Sequence, residues 1–239
     1  MPDQGSLEGP SSDPEDAREL ASDPRGQDHW LRWLLPPAVV LLLIILVRSF
    51  LVAPFSIPSG SMEHTLDVGD RILVNRTIDA ADLQRGDIIV FDARDAFGVG
   101  VGDRGLLSSL IGAAGSLVGV GPETDYVKRI VGLPGDRVVC CASDGRLTVN
   151  GVPATEPYLF PGDAPSSFPF DVTVPAGKLW VMGDHRSRSA DSRAHLGSPG
   201  GGMVPLGDVI GRATVRYWPL DRAGSIEQGQ LSSIPRNGT

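Results

Sequence analysis

An apolar run near the N-terminus constrains the fold more than any other feature. Residues 33–47 (WLLPPAVVLLLIILV) contain no charged side chain, and residues 49–55 extend the run past a single arginine, Arg48. A helix needs about 20 apolar residues to cross the hydrocarbon core of a bilayer. Residues 33–53 reach that length if Arg48 extends its guanidinium to the membrane surface. We therefore predict one transmembrane helix over residues 30–54, with a buried core helix as the alternative.

The segment before this run is acidic. Residues 1–29 carry eight acidic side chains against two arginines, so they hold −6 of the formal net charge of −8. Such a segment, poor in large apolar residues, cannot bury enough surface to offset the entropy lost on ordering, and we predict a disordered tail. Arginines precede the apolar run at positions 18, 25 and 32, and only Arg48 follows. This charge bias favours a cytoplasmic N-terminus and an extracytoplasmic body.

Residues 55–220 have the pattern of a β-rich domain. The chain has 30 Gly and 20 Pro, and short Val/Ile runs lie between them, which is typical of strands joined by turns. The body is nearly neutral and lacks the basic surface that nucleic-acid binding requires, so we expect no nucleic-acid partner. Strands are predicted at 71–75, 88–91, 126–131, 137–140, 146–150, 170–174, 179–182 and 210–218.

Three further features do not fit a plain series of strands and turns. Residues 94–122 combine glycines with an apolar run, and we predict an insertion that either packs in the core or contacts the membrane surface. Residues 221–239 are predicted to be a polar tail. Cys140 and Cys141 are adjacent, and neighbouring strand residues face opposite sides, so we expect no disulfide between them. Two adjacent cysteines also make no metal site by themselves.

Two serines lie in a Pro/Gly turn shortly after the apolar run. The sequence of residues 58–66 is PSGSMEHTL, which contains Ser59 and Ser61. Serine beside glycine and proline is typical of an ordinary turn. A serine acts as a nucleophile only where another group takes its proton. We predict that Ser61 is a nucleophile, which requires a base elsewhere in the chain.

Lysines are the most conspicuous candidates for that base. The chain has 19 arginines but only two lysines, Lys128 and Lys178. Arginine cannot act as a base near neutral pH, whereas lysine can when burial lowers its pKa. Lys178 is in a glycine turn and is expected to be solvated, while Lys128 is in the middle of an apolar strand. The histidines at 64, 185 and 195 leave a Ser-His-Asp triad open.

A third polar cluster, GDHRSRSADSR, occupies residues 183–193. It is either a solvated loop or a hydrogen-bonded network. In the second case Ser189 positions the base, while Asp191 and Arg193 form a charge-assisted pair that holds the loop in shape.

Taken together, these clusters resemble bacterial type I signal peptidase, the Ser/Lys-dyad family also called leader peptidase. The resemblance covers Trp33 to about Trp218. Its motifs occur in the family's order: the anchor, PSGSMEHTL at 58–66, GDRILV at 69–74, YVKRIVGLPGDRV at 126–138 and GDHRSRSADSR at 183–193. Five ordered motifs are far more specific than any one of them.

The resemblance implies a role for each matching residue. It makes Ser61 the acyl-forming nucleophile and Lys128 the general base. The supporting residues would be Ser189, which orients the lysine, Ser59, which forms the oxyanion hole with the Ser61 backbone N–H, and Asp191 and Arg193, which hold the loop.

The resemblance also implies a fold, a substrate class and a location. The family has a mostly antiparallel β catalytic body, one membrane anchor and an apolar surface that meets the lipid bilayer. Its substrates are exported preproteins, which it cuts after small residues of the Ala-x-Ala kind, without a metal or cofactor. The expected location is the plasma membrane, single-pass, with the catalytic body outside the cytoplasm.

The sequence departs from the family pattern at several positions. His64 stands where proline is common, His185 replaces a common asparagine, and Ser187 and Arg188 replace a common Asp-Asn pair. These changes keep open an inactive, membrane-tethered binding module of the same fold. A self-cleaving repressor-type Ser/Lys protease is disfavoured, because an apolar span stands where its DNA-binding domain would be.

Overall fold

The computed structural model describes residues 28–98, 124–229 and 231. The chain divides into two compact units, Met1–Leu46 and Val47–Thr239. The predictions for residues 1–27, for 99–122 of the insertion and for 232–239 lie outside the described residues.

Helix α1, Asp28–Phe50, contains the apolar run. Its side chains from 32 to 45 are exposed. Among the described residues, no helix combines the length and the apolar character that crossing a membrane requires, so the predicted anchor over 30–54 is not confirmed.

The predicted end of the anchor is also corrected. The helix ends at Phe50, and Val52–Ser56 form a strand because their backbone pairs with the strand at Arg71–Asn75.

The second unit is built from short antiparallel strands. Within the described residues these are β1 (Val52–Ser56), β2 (Arg71–Asn75), β3 (Ile88–Asp92), β4 (Asp125–Gly132), β5 (Arg137–Cys140), β6 (Thr148–Val149), β7 (Val152–Pro153), β8 (Phe170–Thr173), β9 (Lys178–Met182), β10 (Val204–Pro205), β11 (Val209–Trp218) and β12 (Gly224–Ser225), with a short helix α2 (Arg94–Phe97) after β3. The larger sheet has the order β1-β2-β11-β3-β4-β9-β10, with β12 beside β11, and the smaller sheet has the order β7-β6-β5-β8. Every pairing is antiparallel. The predicted mostly antiparallel β body is confirmed.

Strand β3 lies at the centre of the larger sheet and is buried on both faces. Successive strand residues point to opposite faces, so Ile88 and Val90 enter one hydrophobic cluster while Ile89 and Phe91 enter another. Met62, from the turn that contains Ser61, packs into the first cluster. The serine turn is therefore held against the sheet by the same apolar packing that stabilises the domain.

Two sequence expectations are corrected in the second unit. The structure joins Cys140 and Cys141 in a disulfide. The expectation assumed that both lie in one extended strand, but β5 ends at Cys140. Residues after 220 also contribute to the body. Gly224–Ser225 pair with β11, and Ile226 and Leu231 are buried in hydrophobic clusters, so the polar tail does not begin at 221.

Candidate active site

Ser61 is held in a tight turn. It lies in a one-turn 3₁₀ helix, Gly60–Met62, and only 7% of the residue is exposed. Glu63 N donates to Gly60 O over 3.2 Å, and Leu66 N donates to Met62 O over 2.7 Å. These bonds, with the buried Met62 side chain, fix where the Ser61 hydroxyl lies.

Lys128 reaches this hydroxyl from the neighbouring part of the sheet. It occupies the middle of β4, opposite Ile89 of β3, and is 3% exposed. Its Nζ donates to Ser61 Oγ over 2.7 Å and to Val127 O over 3.0 Å. The structure therefore brings together two residues that are 67 positions apart in the chain.

The surroundings of Lys128 favour its neutral form. Burial lowers its pKa from 10.5 to about 8, although the charges of Asp191 and Asp184 oppose that shift. Removing an ammonium group from water disfavours its charged state, whereas nearby carboxylates favour it. A lysine with a pKa of about 8 is neutral in a useful fraction of molecules near pH 7, as a general base must be.

Ser59 and Ser189 both lie close to this pair. Ser59 Oγ donates to Ser61 Oγ over 3.4 Å. Within the described part of the chain, Ser189 Oγ is buried and does not bond Lys128; its hydroxyl lies close enough to Asp191 to help lower the pKa of that carboxyl. The described hydrogen bonds of Lys128 Nζ go to Ser61 and Val127, so the orienting role predicted for Ser189 stays a prediction.

Asp191 and Arg193 form a buried ion pair. Arg193 donates from Nε to Asp191 Oδ1 over 2.9 Å and from Nη2 to Oδ2 over 2.8 Å. Gly183 N also donates to Asp191 Oδ2 over 3.0 Å. Burial alone would raise the pKa of Asp191, but the Arg193 guanidinium, the Gly183 N–H and the Ser189 hydroxyl lower it overall. The pair fixes the loop at 183–193 beside the serine.

The histidine rings have other partners. His64 is exposed, the His185 ring stacks on Phe160 with centroids 3.9 Å apart, and the His195 ring stacks on Phe97 at 4.3 Å. In the part of the chain that the structure describes, no histidine ring is hydrogen-bonded to Ser61. The geometry therefore favours a lysine over a histidine as the partner of the serine.

Sequence reasoning missed the ion pair between Arg129 and Asp184. Arg129 donates from Nε to Asp184 Oδ1 over 2.8 Å and from Nη2 to Oδ2 over 2.6 Å, with both side chains fully buried. Thr65 Oγ1 donates to Asp184 Oδ2 over 2.5 Å. Strand β4, the serine turn and the loop thus meet at one carboxylate. An arginine beside Lys128 in an apolar strand was the available signal.

Gly183 was missed for a different reason. A Cβ atom at this position would lie 2.3 Å from Ser189 Oγ and 2.4 Å from Ser61 O. No side chain fits at those distances, so the close approach of the loop to the serine requires glycine. The local sequence carries only a weak signal for this, a glycine directly after a buried strand.

An open groove of about 490 Å³ lies beside the pair. Its walls include the apolar side chains of Phe55, Ile57, Met62 and Val127, while Ser61 and Lys128 lie in the same groove. Substrate sites are commonly apolar clefts with a few convergent polar groups. The arrangement can bind a peptide segment and present it to the serine.

Comparison with known proteins decides the family. The family described as signal peptidase, peptidase S26, matches residues 30–218. The chain belongs to this family. The resemblance found in the sequence motifs is confirmed, and the chain is a hydrolase of the serine peptidase class.

Named relatives of this peptidase cover most of its length. It is 36% identical to a probable signal peptidase I from Mycobacterium leprae, over 94% of this chain and 91% of the relative. It is 41% identical to signal peptidase I from Mycobacterium tuberculosis, over 79% of this chain and 72% of the relative. It is 30% identical to signal peptidase IB from Staphylococcus aureus, over 80% of this chain and 90% of the relative.

Proposed function

We propose that this peptidase removes signal peptides from exported preproteins through an acyl-enzyme, with Ser61 as nucleophile and Lys128 as general base. The observation that carries the proposal is the 2.7 Å hydrogen bond between Lys128 Nζ and Ser61 Oγ, made by a lysine that is 3% exposed. The names of its relatives support the substrate class.

The first half of the reaction acylates the serine. Neutral Lys128 accepts the Ser61 hydroxyl proton while Oγ attacks the carbonyl carbon of the scissile peptide bond. The Ser61 backbone N–H and the Ser59 hydroxyl stabilise the negative charge that develops on the carbonyl oxygen. When the C–N bond breaks, Lys128 returns the proton to the leaving amine, and the signal peptide stays attached to Ser61 as an ester.

The second half releases the signal peptide. Lys128, neutral again, takes a proton from a water molecule, and the hydroxide attacks the ester carbon. Ser61 leaves with the proton held by Lys128, which restores the starting state. The ion pairs Arg129–Asp184 and Asp191–Arg193 keep strand, turn and loop in register throughout, because buried bidentate pairs fix geometry.

Substrate preference and membrane placement complete the proposal. Cleavage after small residues of the Ala-x-Ala kind is what the resemblance to the family implies, and the apolar groove beside Ser61 supports binding of an uncharged peptide segment there. The uncharged run at 33–47, whose side chains up to residue 45 are exposed on α1, supports anchoring in the plasma membrane. The catalytic body would then lie outside the cytoplasm, where exported preproteins emerge.

Cleavage of a preprotein with an Ala-x-Ala site by the full chain in detergent micelles tests this proposal. Ser61→Ala is expected to reduce cleavage by about a thousandfold or more, since covalent catalysis is removed. Ser143→Ala, an exposed serine on the smaller sheet's loop, is the matched control and should leave the rate unchanged. Retained cleavage in Ser61→Ala would contradict the proposed nucleophile.

A further inference from the structure

Glu63 joins the serine turn to the loop at 183–193. Its Oε2 accepts from His185 Nδ1 over 2.8 Å and from Arg188 Nη1 over 3.2 Å. The carboxylate also lies against the turn itself, since a Cβ at Gly60 would be 2.6 Å from Glu63 Oε1. One side chain therefore contacts the residue before Ser61 and two residues of the facing loop.

His185 makes this link rigid. Its ring stacks on the Phe160 ring with an angle of 3° between the two ring planes, and its side chain is 7% exposed. An ionised carboxylate only accepts hydrogen bonds, so His185 Nδ1 carries the proton that it donates to Glu63. The backbone N–H of His185 donates to Ser61 O over 3.1 Å. His185 thus fixes the carbonyl of Ser61 and the carboxylate of Glu63 at once.

Glu63 is absent from the bonds between Ser61, Ser59 and Lys128. Its effect on the reaction must pass through the turn backbone, whose Ser61 N–H is one of the two proposed oxyanion donors. A displacement of about 1 Å in such a group lowers rates by about a hundredfold. The effect falls on the transition state more than on substrate binding.

We propose that Glu63 is a positioning residue of this peptidase, which holds the Ser61 turn in its reactive geometry by bridging it to His185 and Arg188. The proposal rests on the proposed function, in which Ser61 is the nucleophile. His185 and Arg188, two positions where the sequence departs from the family pattern, are the partners of Glu63 in this bridge.

Kinetics of Glu63→Ala in the full chain, with a preprotein that carries an Ala-x-Ala site, tests the proposal. We expect kcat to fall about 10- to 100-fold, with KM within about twofold and an unchanged thermal midpoint. The isosteric Glu63→Gln keeps the turn filled and should show a smaller fall in kcat. Glu227→Ala, an exposed glutamate, is the matched control and should keep the original kcat.

A double-mutant cycle with His185→Phe separates positioning from a purely structural role. If Glu63 acts through His185, the double variant is no slower than the slower single variant. The pH at which the rate is half-maximal should also stay where it is, because the base is unchanged. Additive losses, or a fall in thermal midpoint that parallels the fall in kcat across both Glu63 variants, would overturn the proposal.

The same set of variants distinguishes this proposal from the proposed function. Ser61→Ala without activity and Glu63→Ala with full kcat would overturn the positioning role alone. Ser61→Ala with full activity would overturn the nucleophile assignment, whatever the Glu63 variants do.

Discussion

The middle of β4 and the start of β9 each carry one of the two lysines, in contrasting surroundings. Lys128 in β4 is 3% exposed and is hydrogen-bonded to Ser61. Lys178 in β9 follows a glycine turn and is partly exposed; its backbone lies beside the edge strand β10, and its N–H donates to Pro175 O over 3.2 Å. The same residue type becomes a candidate base only where strand and loop together remove it from water. Position in the sheet, rather than residue identity, distinguishes them.

Replacing Lys128 with methionine is expected to have the largest effect, and the same change at Lys178 is its control. Lys128→Met should lower preprotein cleavage by about a thousandfold or more, because no group remains to accept the Ser61 proton. Lys178→Met should leave the rate within about twofold. Steady-state kinetics of both variants checks this, and equal losses at the two positions would remove the distinction between them.

Gly183→Ala should have the next largest effect. The added methyl group would overlap Ser189 Oγ and Ser61 O, so the loop must move away from the serine and from Lys128. We expect kcat to fall by about a hundredfold, as for a displacement of about 1 Å. Gly197→Ala, where a Cβ would meet nothing within 4 Å, is the matched control. Full activity in Gly183→Ala would mean that the loop does not constrain the serine.

A smaller effect concerns the pH dependence of stability. The pKa of Lys128 falls from 10.5 to about 8 on folding, so the folded state disfavours the charged lysine. This cost is absent above pH 10.5, grows as the pH falls, and is complete below about 8, where it reaches about 3 kcal/mol. Lys128→Met should therefore raise the unfolding midpoint by several degrees at pH 7 and by much less near pH 10.

Lys178→Met is the control for this stability difference. It should change the midpoint little at either pH, because its side chain stays in contact with solvent. Thermal unfolding of both variants at pH 7 and pH 10 makes the comparison. A Lys128→Met midpoint with no pH-dependent gain over the original chain would show that burial does not disfavour the charged lysine.

The smallest effect is expected at His64. This residue has φ of 85°, a left-handed conformation that costs side chains other than glycine about 1 kcal/mol. His64→Gly should therefore raise stability slightly and keep the cleavage rate within about twofold. His64→Pro should destabilise the turn, because proline fixes φ near −65°. Loss of activity in His64→Gly would favour a histidine base over Lys128.

Much of the site could be predicted because its motifs are local in sequence. Val127, Ile130 and Val131 marked β4 as apolar, and this made Lys128 conspicuous within it. The polar spacing of the loop indicated the Asp191–Arg193 pair, which the structure contains. Strand positions also followed from short apolar runs between glycine and proline turns.

Other features depend on long-range contacts that local patterns do not encode. The bond from Glu63 to His185 joins positions 122 residues apart, and nothing near either residue indicates it. The burial of Ile226 and Leu231 depends on docking against the sheets, so a polar local composition concealed it. The partner of Ser189 depends on how the loop at 183–193 folds against the serine turn, which the local sequence does not specify.

The assignment of Lys128 as the base is tested by the pH dependence of kcat/KM for preprotein cleavage, because this profile reports the pKa of the base in the free enzyme. We predict that the rate rises with pH through an apparent pKa of about 8, the value that burial gives Lys128, and that Lys178→Met leaves this value unchanged. A rise centred near 6.5, as for histidine, or near 10.4, as for a solvated lysine, would contradict it.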